Sequence, residues 1–394
     1  MPPVTHPFLL GINYWPKSSA MAMWSRFDEG EIDEDFAHIA ALGLDVVRFF
    51  LLWEAFQPAP DRMDPGALRR FERVIALASD RGLRTMPTLF TGHMSGVNWL
   101  PAWSLDPARA AGRFRTFSGG AASSYGIGDF YGGALLDAQL AHARAVGERA
   151  DRHPAVLAWD LGNEFSNMRE AASPSDAARW SARLTHELQN ASQLPSTGGL
   201  HGEDLTEDRG IRPSSISVPW PFATMHGYPA YSAFARSIAD PEVVPFLAAL
   251  TAGFSCKPVL FSEFGNPACS GRTRASGMPC LEEDAMAAYA GDVLVRLHAR
   301  GALGAFWWCW TDYDPALAAS PPFDLAPHEL GFGIVRADGS EKPVARALAA
   351  FARERRSVAA QADAAQLDEG AYYAGLPGST VDAYACYAGA RERR

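Results

Sequence analysis

The chain has 394 residues, 48% of them hydrophobic and 20% charged, so it can bury a large core and is not a mainly disordered protein. Its 45 acidic and 35 basic residues give a formal net charge of -10, which repels nucleic acid and anionic membrane surfaces. We therefore expect neither nucleic acid nor a membrane as a partner, and a neutral ligand fits better. The sequence leaves the oligomeric state open.

The cysteines indicate no metal or redox motif, because none of the five is in CxxC spacing. Cys269 and Cys280 share one Gly/Ser/Arg-rich stretch and can close a loop disulfide in an oxidising compartment. The N-terminal sequence MPPVTHPFLLGINYW lacks a basic region followed by a long apolar run and a cleavage site. We therefore expect free thiols and a cytoplasmic protein.

Short apolar runs alternate with longer amphipathic segments, a pattern typical of an α/β fold with a parallel sheet. We predict strands at 8–14, 46–52, 84–90, 156–161, 196–200, 222–225, 258–261 and 305–310. We predict helices at 31–42, 68–79, 134–149, 175–190, 282–300 and 343–355. Eight strands with interleaved helices predict a (β/α)8 TIM barrel. The alternative is a doubly wound sheet, but no GxGxxG turn follows the first strand.

The predicted elements also set the domain organisation. The barrel takes residues 1–355, and residues 356–394 form a C-terminal tail that packs on its outside, with a frayed end. Two long loops follow the third and fifth strands, at 91–133 and 201–220. Long loops in compact domains are usually functional, so we expect both to wall a groove.

Polar or aromatic side chains stand where the apolar strands end, which in a barrel is the end that carries the active site. The candidate site residues are Arg48, His93, Asn163, Glu164, His226, Tyr228, Glu263 and Trp308. One such residue is a weak signal because strand ends often meet solvent. The whole set in one chain predicts an active site at the barrel mouth.

Two glutamates in this set indicate a specific chemistry. Hydrolysis of a glycosidic bond needs one carboxyl to protonate the leaving oxygen and another to attack the sugar or to activate water. Glu164 and Glu263 follow the fourth and seventh strands, which face one another across an eight-strand ring. The apolar strand before Glu164 can keep that carboxyl protonated as an acid. Arg48 and the hydroxyl of Tyr228 can hold Glu263 ionised as a nucleophile.

The motifs GNEF around Glu164 and SEFG around Glu263, with the other candidates in the same order, resemble the clan A retaining β-glycoside hydrolases. The resemblance spans residues 8–355 and is strongest to the family five cellulase, mannanase and mannosidase group. It implies that Glu164 is the acid/base, Glu263 the nucleophile and Asn163 the partner of the sugar 2-hydroxyl. Trp308 would lie under the reacting sugar. The overall likeness favours a β-mannoside over a β-glucoside or β-galactoside, and transglycosylation is an alternative reaction.

Several candidates also have a structural interpretation. Arg48 can be a salt-bridge residue, His93 can order its loop, and His226 can be a buried histidine with satisfied hydrogen bonds. Trp307 competes with Trp308 as the sugar platform, but the period-2 alternation of a strand puts the two on opposite sides, and we favour Trp308.

Alternatives of another class remain at this point. His201, Glu203 and Asp204 look like a metal cluster, but we expect a solvated loop there, and no metal or other cofactor. A barrel that only binds carbohydrate would keep its aromatic platforms and lose a carboxylate, whereas both glutamates are present here. A protein-interaction scaffold would show an exposed apolar patch. The sequence leaves the sugar, the linkage and exo or endo action open.

Overall fold

Eight parallel strands form the centre of the fold, and a helix follows each of them. The structure is a computed structural model that describes residues 5–359 and 365–389. The strands are β1 (Leu9–Tyr14), β2 (Val46–Leu52), β3 (Arg84–Thr91), β4 (Trp159–Asn163), β5 (Ser196–Gly199), β6 (Ala223–His226), β7 (Val259–Phe264) and β8 (Gly304–Trp307). The helices are α1 (Glu29–Ala41), α2 (Pro65–Asp80), α3 (Gly133–Arg149), α4 (Pro174–Ser192), α5 (Pro213–Ile216), α6 (Val243–Ser255), α7 (Glu283–Ala299) and α8 (Pro343–Arg353).

The strands form a closed ring in chain order. Parallel ladders join β1 through β5 in sequence, β6 to β7, β7 to β8, and β8 back to β1. The last gap, between β5 and β6, is closed by the His226 amide, which donates to the Leu200 carbonyl at 2.8 Å. The Thr224 hydroxyl also donates to the Gly198 carbonyl there. The predicted (β/α)8 TIM barrel is confirmed.

The sequences of the strands explain why the strands form the buried centre of the barrel. Parallel strands covered by helices are buried on both faces and read as continuous apolar runs. β2 is Val-Val-Arg-Phe-Phe-Leu-Leu, every residue of it is buried, and Arg48 is its only charged residue. A charge in that position needs partners inside the barrel. The register places Arg48 beside Asn13 of β1.

The sequence analysis missed α6. Its residues are almost all apolar, and twelve of its thirteen are buried, so no amphipathic period marks it as a helix. The C-terminal segment covers its outer side. The Ala365 amide donates to the Ala249 carbonyl at 2.9 Å, and the ring of Tyr384 lies 5.1 Å from the ring of Phe246.

The C-terminal segment contains the helices Glu369–Ala374 and Gly378–Gly389. The Tyr373 hydroxyl donates to the Asp204 carbonyl at 2.6 Å, which links this segment to the loop after β5. The division into a barrel (1–355) and a tail (356–394) stays a prediction. Residues 360–364 and 390–394, with the predicted frayed end, lie outside the described residues.

The structure corrects the expectation of free thiols for one pair of cysteines. Cys269 and Cys280 form a disulfide with their Cα atoms 5.0 Å apart, within the loop after β7. The Cys269 amide donates to the Leu281 carbonyl at 2.8 Å, which brings the two backbone segments together. The predicted cytoplasmic location stays a prediction.

The described part of the chain contains no helix that is both long and apolar enough to cross a bilayer.

Three long loops stand at the carboxyl end of the barrel: the β3 loop (residues 92–132), the β5 loop (200–222) and the β8 loop (308–342). The first two were predicted, but the β8 loop was missed. The β3 loop folds into a small sheet of the strands His93–Met94, Val97–Trp99, Arg115–Ser118 and Ala121–Ser123.

Candidate active site

A buried arginine lies beneath the mouth of the barrel. The Nε and Nη2 atoms of Arg48 donate to Asp160 Oδ2 at 2.9 and 2.6 Å, and its Nη1 donates to Glu263. Burial lowers the pKa of Arg48, but the charges of Asp160 and Glu263 outweigh burial and hold the pKa above its usual value. One permanent cation therefore compensates two carboxylates in the interior.

Glu263 lies on β7 with 4% of its surface exposed. One carboxylate oxygen accepts from Arg48, and the other accepts from the Tyr228 hydroxyl at 2.6 Å. Burial raises the pKa of Tyr228 well above its usual value, so its hydroxyl keeps its proton and remains a donor. Both predicted neighbours of Glu263 are in contact with it, and both donate, which is the environment of an ionised carboxylate.

Glu164 stands directly after β4 in a left-handed backbone conformation, with φ 45° and ψ 44°. A residue with a side chain pays about 1–3 kcal/mol for such a conformation, and these residues cluster at active sites. The conformation turns the chain out of the strand and into a short 3-10 helix, Phe165–Asn167. The Asn167 side-chain amide donates to Glu164 Oε2 at 3.1 Å.

Three histidines surround the Glu164 carboxylate. His226 Nδ1 lies 3.1 Å from Oε1, while His93 Nε2 and His201 Nδ1 lie 3.9 and 4.0 Å from Oε2. Burial raises the pKa of Glu164, but His201 and the other two histidines outweigh burial and hold the pKa below its usual range. The structure therefore corrects the expectation of an apolar environment around Glu164, since three histidines surround its carboxylate.

His226 bridges the two glutamates. Its Nδ1 lies 3.1 Å from Glu164 Oε1 and 3.5 Å from Glu263 Oε1. One carboxylate oxygen of each glutamate and a ring nitrogen of His226 all lie within 4.8 Å of one another. His226 Nε2 has no hydrogen-bond partner among the residues that the structure describes, so only one of the two ring nitrogens of His226 is satisfied by them.

The same three donor atoms have the spacing of a metal site. However, both oxygens of Glu263 already accept hydrogen bonds, one of them from the guanidinium of Arg48, which would repel a cation. The expected absence of a metal stays a prediction.

Asn163 connects the arginine to the β3 loop. Its Oδ1 accepts from Arg48 Nη2 at 2.9 Å, and its Nδ2 donates to the His93 carbonyl at 3.0 Å. His93 in turn lies 2.8 Å from Asn98 Oδ1 through its Nδ1, and burial lowers the pKa of His93. Both interpretations of His93 therefore have support, since it orders the loop and also faces the cavity.

Trp307 is the last residue of β8 and Trp308 lies just beyond the strand, so the predicted alternation along a strand through both residues is not what separates them. Trp308 lines the cavity, and the peptide bond that follows it is cis. Trp307 faces away from the cavity and donates through Nε1 to the Phe332 carbonyl at 3.0 Å. Only Trp308 of this pair is therefore placed to contact a ligand.

The catalytic cavity has a volume of about 370 Å³, within the range of small-ligand sites. All the predicted site residues except Arg48 line it, and Arg48 lies below it. The residues chosen because they stand at the ends of the strands therefore do lie together in the structure. Their individual roles stay predictions.

Two parts of the site were missed or misjudged from the sequence. Asp160 was not singled out, although alternation along β4 places it on the same side as Gly162, toward the interior of the barrel. His201 and Asp204 were expected in a solvated loop, but they are buried, and the Ser166 hydroxyl donates to Asp204 Oδ1 at 2.6 Å. The solvated-loop expectation is wrong because His201 follows β5 at the carboxyl end of the barrel.

No family model and no curated protein matches the chain in sequence. The exo-β-1,4-mannosidase Op5Man5 from Opitutaceae bacterium strain TAV5 is similar in structure, with a TM-score of 0.73 and 27% identity over 89% of this chain. The chain spans only 60% of the length of that enzyme.

Other solved structures share the fold at lower identity. A variant GH5_18 protein from Streptomyces cattleya, in complex with Manβ1-4GlcNAc, has a TM-score of 0.78 and 21% identity over 98% of this chain and 92% of its own. A β-galactosidase from Marinomonas ef1 has a TM-score of 0.62 and 15% identity, over 88% of this chain and 59% of its own. The neighbours include family five glycoside hydrolases, which confirms the likeness to that clan.

We expect Arg48→Met to lower the free energy of unfolding by about 3–5 kcal/mol at pH 7, because it leaves two buried carboxylates without a cation. Buried carboxylates without a cation have a raised pKa in the folded state, so they become protonated as the pH falls. The loss in free energy of unfolding is therefore smaller at lower pH. Urea unfolding at pH 7 and pH 5 measures both effects. As a control, Arg149→Met breaks an exposed pair with Glu72 and changes the stability by less than about 1 kcal/mol. Equal losses in the two variants would contradict this account.

Proposed function

We propose that the protein is a retaining β-glycoside hydrolase with a β-mannoside as its favoured substrate. The observation that carries this proposal is the separation of two carboxylates, since oxygens of Glu164 and Glu263 lie within 4.8 Å of one another in one cavity. Retaining enzymes hold their carboxyls about 5–5.5 Å apart, and inverting enzymes about 6.5–9.5 Å apart. The short separation supports a double displacement.

In the first step, a carboxylate oxygen of Glu263 attacks the anomeric carbon. The bond from that carbon to the leaving oxygen breaks, and Glu164 gives its proton to this oxygen. The hydrogen bonds from Arg48 and Tyr228 orient the attacking carboxylate and stabilise it again when it leaves.

In the second step, water attacks the same carbon and the bond from the carbon to Glu263 breaks. The proton of the water passes to Glu164, which returns to its acid form. An acceptor sugar in place of water gives transglycosylation by the same residues.

The proton for the first step comes from the group around Glu164. The histidines favour the ionised carboxylate, yet protonation of the leaving oxygen needs a proton at Glu164. His226 Nδ1 is within hydrogen-bond reach of the carboxylate, and His201 lies 4.0 Å away. His226 is therefore close enough to exchange a proton with Glu164, and a substrate that excludes water favours the neutral, protonated carboxyl.

Two kinds of support favour a β-mannoside. Among the structural neighbours, one is an exo-β-1,4-mannosidase and another was solved with Manβ1-4GlcNAc. The cavity of about 370 Å³ suits a small saccharide, and Trp308, an aromatic residue of the kind that packs against sugar rings, lines it. β-Glucosides and β-galactosides are the alternative substrates.

We expect Glu263→Ala to abolish most turnover of aryl β-mannosides, because it removes the attacking atom. Glu164→Ala lowers turnover about 10²–10⁴-fold, the contribution of a general acid. In Glu263→Ala, added azide attacks the anomeric carbon in place of the lost carboxylate and yields a glycosyl azide of inverted configuration, whereas in Glu164→Ala any glycosyl azide has retained configuration.

Steady-state assays with aryl β-mannosides, β-glucosides and β-galactosides measure these effects, and product NMR gives the configuration. Glu72→Ala, at an exposed ion pair, is the control and keeps normal turnover. Near-normal turnover in either Glu164→Ala or Glu263→Ala would refute the assignment.

His201→Asn should move the pH profile, because His201 contributes most to the lowered pKa of Glu164. Without His201 the pKa of Glu164 rises, and its protonated form persists to higher pH. We therefore expect the alkaline limb of kcat/KM against pH to shift upward. His186→Asn changes an exposed histidine on α4 and leaves the profile in place. An unmoved limb in His201→Asn would contradict this effect of His201 on the pKa of Glu164.

A further inference from the structure

A second cavity, of about 570 Å³, lies at the same end of the barrel as the catalytic cavity. Its walls come from the loops after β1, β2, β3 and β8, and no described residue lines both cavities. The aromatic side chains Trp24, Trp99, Phe117 and Phe323 line it. Trp24 and Phe323 are almost fully buried, whereas Trp99 and Phe117 are partly exposed. Partly exposed aromatic rings suit sugar rings, so a longer saccharide would extend into this space.

The β3 loop and the β8 loop each pass from one cavity to the other. In the β3 loop, Phe114 lines the catalytic cavity and Phe117 lines the second one, with Arg115 between them. In the β8 loop, Phe323 lines the second cavity and Ala326 lines the catalytic one. The two loops thus cross the same boundary.

An ion pair joins the loops at this boundary. Arg115 Nη1 donates to Asp324 Oδ2 at 2.8 Å, and Asp324 directly follows Phe323. Arg115 Nη2 also donates to the Pro322 carbonyl at 3.4 Å. Because β3 and β8 are separated by β2 and β1 in the ring, this contact crosses the barrel mouth.

A buried carboxylate makes a second connection between the loops. Glu329 of the β8 loop accepts from the Ser95 hydroxyl of the β3 loop at 3.0 Å and from the Tyr231 hydroxyl at 3.2 Å. Glu329 is 7% exposed and lines the catalytic cavity. We call Ser95, Arg115, Asp324 and Glu329 the partition.

The position of the acid gives the direction of the substrate. Glu164 protonates the leaving oxygen, so the leaving group lies on its side of the cavity, near Asn167 and Glu203. The ring that is attacked lies over Trp308. The chain beyond that ring would run toward the second cavity, and the partition stands in its path.

We propose that the partition restricts the catalytic cavity to a single terminal sugar ring, so that the enzyme releases monosaccharides from chain ends. This rests on the proposed function. The partition, and not the shape of the catalytic centre, then determines exo action.

An aryl β-glycoside and the matching aryl β-1,4-bioside test the proposal, starting with mannose. Release of an intact disaccharide from the bioside requires a second ring on the far side of the partition. A chromatographic time course follows the products released from the bioside. We expect the wild type to release monosaccharide first and the phenol later, and to release no disaccharide.

The double variant Asp324→Ala/Glu329→Ala removes both connections. We expect its ratio of disaccharide to monosaccharide to rise about 10-fold or more, as for removal of a steric block in a pocket. Arg115→Ala, at a residue that lines neither cavity, gives a smaller rise and retains hydrolysis of the aryl glycoside. Arg149→Ala is the matched surface control and leaves the ratio unchanged.

The outcomes separate the two proposals. A wild type that hydrolyses no aryl β-glycoside overturns the proposed function and the partition with it. A wild type that hydrolyses the aryl glycoside and also releases disaccharide overturns the partition alone. The partition is also overturned if the double variant is folded, as judged by circular dichroism, and hydrolyses the aryl glycoside, yet releases no disaccharide.

Discussion

The buried guanidinium of Arg48 is the interaction on which the site depends. It extends from β2 and donates to Asn13 of β1, Asp160 of β4 and Glu263 of β7, so one side chain connects four strands of the ring. Two carboxylates are tolerated in the interior because this cation lies between them. The same contacts orient Glu263 toward the cavity. Stability and the proposed chemistry therefore share one set of hydrogen bonds.

The two glutamates differ because their neighbours differ. Glu263 is held by a permanent cation and a phenol, which both donate to it and neither of which titrates near neutral pH. Glu164 is instead surrounded by three histidine rings, which hold its pKa below the usual range. A nucleophile needs a constant charge, whereas an acid/base needs a partner for its proton. The surroundings fit the two roles even though the apolar environment expected for Glu164 was wrong.

The sequence predicted the barrel because its strands are apolar runs, and it predicted Glu164 and Glu263 because strand ends converge at one edge. It did not reveal α6, whose covered outer side removes the amphipathic pattern. Burial of His201 depends on how the β5 loop folds back, which no local pattern encodes. The contact of Arg115 with Asp324 joins positions 209 residues apart, so only the folded chain shows it.

The central claim is that Glu263, held by Arg48, forms a covalent bond to the sugar. A 2-deoxy-2-fluoro glycosyl fluoride of the hydrolysed sugar tests it directly, because its leaving group speeds the first step while the fluorine at C2 slows the second. Mass spectrometry of the labelled and digested protein should find the sugar on the peptide that contains Glu263. A label on the peptide that contains Glu164, or turnover to inverted product without any label, would contradict the account.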